Sequence, residues 1–142
     1  MKMLKNLKNK KGFTLIEIVI VIVIIAILAA MLVPSLLKWV DNANQKSFLE
    51  AANTIKTSTL SVVTDNYATG KAFAWSDVAD LVGGVKINGQ GTGSKEYTVT
   101  MTPDLSAANA TGNTVTTFTV SNTKYTATWS AESNNWAVGE AG

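Results

Sequence analysis

The chain has 142 residues, of which 46% are hydrophobic and 15% charged, so it is long enough for one modest domain with an appendage. It contains no Cys, His or Arg, which excludes disulfides, thiolate or imidazole metal sites and the commonest general base. The net charge of +2 comes from five Lys in the first eleven residues, because residues 13–142 carry seven Lys against ten acids. We therefore predict no enzyme, no cofactor, no metal site and no specific nucleic-acid partner.

The first element in chain order is an apolar stretch over residues 13–37, with sixteen consecutive apolar residues at 18–33. As a helix it would be about 37 Å long, enough to cross a hydrocarbon core of about 30 Å, whereas a buried strand of this length would be unusual. A cleaved secretory signal peptide is a further alternative, but the stretch exceeds a typical h-region and no small-x-small triplet follows it. The stretch therefore predicts a membrane span with the preceding Lys residues on the cytoplasmic side.

Glu17 is the one acid near the start of this span. A carboxylate within a membrane span costs several kcal/mol unless it is neutralised or paired. Lys10 and Lys11 could reach only the headgroup layer, and no Lys follows within two helical turns. Glu17 is then either protonated or at the interface, or it needs a partner from outside the chain.

Residues 10–17 read Lys-Lys-Gly-Phe-Thr-Leu-Ile-Glu, and this octapeptide resembles the processing motif of type IV prepilins. In that family a basic leader ends in Gly, the mature protein starts with Phe, and Glu follows four residues later within an apolar helix. The resemblance implies that a prepilin peptidase cleaves between Gly12 and Phe13 and that the Phe13 amine is methylated. It also implies that this amine pairs with Glu17 of a neighbouring subunit during assembly.

Pro34 closes the apolar run, and an interior proline predicts a helix kink there. Among type IV pilins a proline at the matching position bounds a helical segment that can loosen on assembly. Many relatives carry Gly at the other end of that segment, where this chain has Ala26.

Beyond Ser35 the pattern predicts an amphipathic continuation of the helix to about Thr64, ended by Gly70. The predicted stripe consists of residues at helical spacing: Leu36, Val40, Ala43, Ser47, Ala51, Ile55, Ser58 and Val62, widened by Leu37, Ala52 and Val63.

The remaining chain predicts a small head with one short helix, residues 76–82 with Ser76 as N-cap, and three or four strands. The strand candidates alternate in polarity or are rich in β-branched residues, and they cover residues 96–102, 115–120, 124–130 and 135–138. Twelve Thr between Thr92 and Thr128 predict a solvated outer sheet face, and we predict core positions for Trp75, Trp129 and Trp136. Asn109-Ala110-Thr111 matches a glycosylation sequon, a motif that often occurs by chance.

The predicted fold is α+β, with a long N-terminal helix packed on an antiparallel meander. The predicted domains are a cleaved leader (1–12), a membrane or filament-core helix (13–37) and a head (38–142). The resemblance implies a pilin that leaves the cytoplasmic membrane through the pilus assembly machinery and polymerises into a surface homo-oligomer for adhesion, motility or DNA uptake. The alternatives are a pseudopilin of a type II secretion or competence machine and a single-pass membrane-anchored binding module.

Processing at the predicted junction can be tested by intact mass. We expect the protein isolated from producing cells to lack residues 1–12 and to carry one methyl group on Phe13. Replacement of Gly12 by a bulky residue should block maturation, because the small residue before the scissile bond would be lost. A wild-type mass that retains residues 1–12 would contradict the prediction.

Overall fold

The computed structural model of the protein describes residues 12–104 and 114–142, which form two helices and one five-stranded sheet. The elements are α1 (Leu15–Thr69), α2 (Trp75–Val82), β1 (Val85–Ile87), β2 (Lys95–Thr102), β3 (Thr117–Ser121), β4 (Tyr125–Ser130) and β5 (Asn135–Glu140). The predicted α+β class is confirmed. The chain forms two compact units, Met1–Asn42 and Ala43–Gly142, and α1 contributes residues to both.

Helix α1 is continuous over 55 residues and ends five residues later than predicted. Gly70 follows it with a φ of +71°, the left-handed conformation that glycine adopts without a steric penalty. The Lys71 amide then donates a hydrogen bond of 3.1 Å to the Asn66 carbonyl, as in a Schellman motif. The end of α1 is therefore fixed by the backbone conformation of Gly70, as the sequence predicted.

The sheet has the strand order β1-β2-β3-β4-β5. Strands β2 to β5 form the predicted antiparallel meander, with Val99 opposite Val120 and Trp129 opposite Trp136. The sequence analysis missed β1, which pairs in parallel with β2. With three residues, β1 is too short to show an alternation that could be distinguished from a loop.

The core of the second unit lies between α1 and the inner face of the sheet. Phe48 is central to it, since its ring centroid is 6.3 Å from that of Tyr97 and 5.6 Å from that of Tyr125. The buried residues of α1 are Phe48, Ala52, Ile55, Thr59, Val62, Val63 and Asn66, and those of α2 are Val78 and Ala79. The buried strand residues are Val85, Ile87, Tyr97, Val99, Met101, Phe118, Val120, Tyr125 and Ala127.

The observed stripe on α1 differs from the predicted one. Ser47 is exposed and Ser58 is half-buried, while their neighbours Phe48 and Thr59 are buried. Thr59 can be buried without an unsatisfied group because its hydroxyl donates to the Ile55 carbonyl at 2.7 Å. The placement of Ser47 and Ser58 on the stripe was therefore wrong.

Helix α2 starts at Trp75, one residue before the predicted start, and Ser76 is not its N-cap. Instead, the Ser76 amide donates a hydrogen bond of 2.9 Å to the side-chain oxygen of Gln90. A side chain fourteen residues away thus satisfies one of the N-terminal amides of α2, and the predicted cap by the Ser76 side chain was wrong.

The tryptophans that were predicted to be core residues are half-buried and pack against the core; they are Trp75, Trp129 and Trp136. The Lys56 ammonium lies 3.9 Å from the ring centroid of Trp129 and 5.8 Å from that of Trp136, within cation–π range. Burial lowers the pKa of Lys56 below its usual value. Lys56 therefore joins α1 to the β4–β5 hairpin.

The outer face of the sheet carries hydroxyl side chains in register. Thr100 is opposite Thr119, which is opposite Thr128, and the hydroxyls of Thr119 and Thr128 are 3.1 Å apart. The predicted solvated Thr face is confirmed for these strands. The Asn109-Ala110-Thr111 sequon lies outside the described residues.

A glycine substitution tests the packing around β1. Gly91 has a φ of +107°, and a Cβ there would lie 2.5 Å from the Val85 carbonyl oxygen and 2.7 Å from the Ala79 Cβ. Gly91→Ala should lower stability by about 1–3 kcal/mol, because both the backbone and the contacts would be strained. Thermal unfolding followed by circular dichroism on the full chain in detergent micelles would measure the change.

Gly139→Ala is the matched control, since a Cβ at Gly139 meets no atom within 4 Å. We expect its melting temperature to stay close to that of the wild type. Equal melting temperatures for the two variants would contradict the proposed strain at Gly91.

Candidate functional site

The candidate site begins with the three residues that precede α1. Gly12, Phe13 and Thr14 are exposed and non-helical, and the Phe13 side chain is 77% exposed. A Cβ at Gly12 would meet no atom within 4 Å. The peptide bond between Gly12 and Phe13 is thus outside the helix and sterically open on the Gly12 side.

Thr14 and Glu17 cap the start of α1 reciprocally. The Glu17 amide donates to the Thr14 hydroxyl at 3.3 Å, and the Thr14 amide donates to a Glu17 carboxylate oxygen at 3.5 Å. This is the arrangement of a capping box, with Thr14 at the N-cap and Glu17 three residues into the helix. The Glu17 carboxylate also lies near the positive end of the helix dipole.

The sequence analysis missed this role of Thr14, although the spacing Thr-x-x-Glu was visible in the printed sequence. It also considered for Glu17 only neutralisation, the interface or a partner outside the chain. The capping contact gives the carboxylate a donor within its own chain, but that donor is an uncharged amide. The contact therefore does not supply a countercharge for Glu17.

The apolar run that follows is exposed among residues 12–104 and 114–142, the residues that the structure describes. The larger side chains between residues 18 and 33 are exposed by fractions from 39% for Val19 to 72% for Met31. The α1 helix is long and apolar enough to cross a membrane, with a mean hydropathy of 3.3 in its most apolar window. An apolar surface of this extent marks contact with lipid or with other protein.

Pro34 lies within the continuous α1 helix. Because proline has no amide hydrogen, the Ala30 carbonyl lacks the helical donor that other positions have. A kink at Pro34 stays a prediction. Ala26, the counterpart of the Gly found in many relatives, lies within the helix as well.

Comparison with known proteins identifies the segment that contains Gly12, Phe13 and Glu17. Residues 7–33 match the family model described as the prokaryotic N-terminal methylation motif. The chain carries the class III signal peptide of type IV pilins. The match covers 27 of the 142 residues, and neither the curated proteins nor the solved structures contain a match to the chain.

The match confirms the resemblance that residues 10–17 suggested. A class III signal peptide implies processing by a prepilin peptidase and a membrane-anchored precursor of a type IV pilin-like or pseudopilin protein. The matched motif is that of a structural, pilin-type family. The individual roles of Gly12, Phe13, Glu17 and Pro34 stay predictions.

The capping box within this signal peptide can be tested by hydrogen exchange. The Glu17 amide donates to both the Thr14 carbonyl at 3.1 Å and the Thr14 hydroxyl at 3.3 Å. Thr14→Val removes the hydroxyl, keeps the carbonyl and keeps a β-branched side chain, so it weakens the cap without removing every acceptor. Loss of an N-cap costs about 1 kcal/mol, so exchange at the Glu17 amide should be about fivefold faster. NMR on the precursor in detergent micelles would measure it.

Thr14→Ser is the control, because serine is at least as good an N-cap as threonine. Its exchange rate at Glu17 should stay near that of the wild type. Identical rates in the Val and Ser variants would argue against the capping box.

Proposed function

We propose that the chain is a pilin, a structural subunit that is processed before Phe13 and polymerises into a type IV pilus on the cell surface. The observation that carries the proposal is the position of Glu17, between an open Gly12–Phe13 junction and an apolar run, residues 18–33, whose large side chains are all exposed. Adhesion, motility and DNA uptake are the roles that such a filament would serve.

The exposed apolar run at residues 18–33 supports assembly, because its side chains need a partner both before assembly and in the filament. Full burial of one Val, Leu or Ile side chain contributes about 1.5–3 kcal/mol. The lipid of the cytoplasmic membrane would cover residues 18–33 before assembly. The same residues of neighbouring subunits would cover them in the filament core, after transfer by the pilus assembly machinery.

Packing of Ile, Val and Leu side chains has little directionality, so it does not set the axial position of one subunit against the next. A charge pair can set this axial position, since it joins two particular atoms and is strong at low dielectric. Cleavage by the prepilin peptidase would create an amine on Phe13, which the family methylates. If the mature helix extended to Phe13, this amine and Glu17 of the same chain would be separated by about 6 Å along the axis, so we expect the pair to form between neighbours.

Two substitutions of Glu17 test this mechanism and separate the charge from the cap. Glu17→Ala removes both the carboxylate and the capping side chain, whereas Glu17→Gln keeps a side chain that serves in a capping box. We expect both variants to insert into the membrane and to be processed, because a costly charge is removed and the scissile bond is unchanged. We expect neither to form a normal number of filaments.

The measurement is the amount of mature subunit in membranes and in sheared filaments, with electron microscopy of the cells. Thr14→Val serves as the matched control, since it weakens the cap and leaves the carboxylate in place. Normal filament yield from Glu17→Gln would refute the charge pair and favour the cap. A short periplasmic or wall-spanning rod in place of surface filaments would identify a pseudopilin.

A further inference from the structure

A cleft with a volume of about 470 Å³ opens in the second unit, between α1, the start of β2 and the turn that joins β3 to β4. This size falls within the range of small-molecule sites. Ser47 and Ala51 make the helical wall, and their small side chains leave the space that larger ones would fill. The cleft is remote in sequence from the N-terminal signal peptide, and the proposed function makes no use of it.

Three aromatic residues, Phe48, Tyr97 and Tyr125, form the floor of the cleft. They are packed against one another and belong to the core, with exposed fractions of 4–6%. A floor that is already part of the core does not have to be ordered when a ligand binds. The cleft is therefore preorganised, which reduces the entropic cost of binding.

Tyr97 presents an unused polar group to this space. Its side chain is 94% buried, since its exposed fraction is 6%. Among the described residues its hydroxyl takes part in no hydrogen bond, and the oxygen is not sealed from solvent. Burial raises the pKa of the Tyr97 phenol, so the hydroxyl keeps its proton at neutral pH and can both donate and accept.

The rim adds amides and hydroxyls. Asn122 lies at the rim, and its side-chain oxygen already accepts the amides of Lys124 and Tyr125 at 2.9 and 2.8 Å. The side-chain NH₂ group of Asn122 can therefore donate a hydrogen bond to a ligand. Asn44, Ser47, Ser94 and Thr123 also line the opening.

The charges around the cleft favour a neutral ligand. Lys95 and Glu96 are neighbours at the rim, both exposed and opposite in sign. The described residues contain no group of three or more side chains that could hold a metal ion. An anion, a cation or a metal complex would therefore find no net countercharge here.

We propose that this cleft binds a saccharide, as a free sugar or as part of a glycan. A pyranose is neutral and offers several hydroxyls to Tyr97, Asn122 and the rim, while the almost fully buried aromatic floor fixes the shape of the cleft. This function is additional to assembly, and it does not depend on whether the chain forms a pilus.

Binding can be measured by NMR on the isotopically labelled full chain in micelles of a detergent without a sugar headgroup. The probes are glucose, N-acetylglucosamine and, as a neutral comparison, tetra-alanine, each at about 10 mM, which is ten times a Kd of 1 mM. We expect one of the sugars to shift the resonances of Tyr97 and Asn122, and tetra-alanine to leave them in place. Absence of any shift with both sugars, or a shift with tetra-alanine instead, would overturn the proposal.

Two pairs of variants locate the site. Tyr97→Phe removes only the hydroxyl and should weaken binding about two- to tenfold, while Tyr67→Phe, which alters an exposed residue outside the cleft, should not. Ser47→Trp should fill the cleft and abolish binding, and Asn53→Trp on the exposed side of the same helix should not. Unchanged binding in both Tyr97→Phe and Ser47→Trp would overturn the site. Because Ser47 is exposed, its variant is not expected to disturb the core.

Discussion

The apolar side chains at residues 18–33 stay exposed in the part of the chain that the structure describes, and the proposed assembly depends on this constraint. Every large side chain in the run is exposed, on all sides of α1. A helix of this kind is stable only in lipid or among other helices. The leader, the capped helix start and Glu17 all lie at the N-terminal end of this run, where a chain passing from lipid into a helical bundle would change its partners.

The second half of α1 buries only one of its faces. From Phe48 to Asn66 its buried residues recur at intervals of three and four, so that one stripe meets the inner face of the sheet. Aromatic contacts of Phe48 mark one end of this interface, and Lys56 reaches the Trp129–Trp136 pair across it. A single continuous element therefore provides an all-round apolar surface in one part and one face of a closed core in another.

Features whose residues are close together in the sequence were predicted better than features assembled from distant segments. The octapeptide at residues 10–17 and the alternation of β2 and β4 are short patterns, and both predictions were confirmed. The stripe on α1 was predicted correctly at Ala52, Ile55, Val62 and Val63. It omitted Thr59 and Asn66, which are polar yet buried because their hydrogen bonds are made to the chain itself. The cap of α2 and the cleft could not be predicted, because each is assembled from segments that are distant in sequence, such as Gln90 with Ser76.

The capping box at Thr14 and Glu17 also limits how far the helix can extend toward the N-terminus. A peptide bond inside an α-helix is a poor protease substrate, because a protease binds several residues of its substrate as an extended strand. With Thr14 as the N-cap, the bond between Gly12 and Phe13 stays outside the hydrogen-bonded turns. One short segment before and at the start of α1 thus holds both the bond that the peptidase would cut, outside the helix, and the carboxylate that the mature subunit would use afterwards.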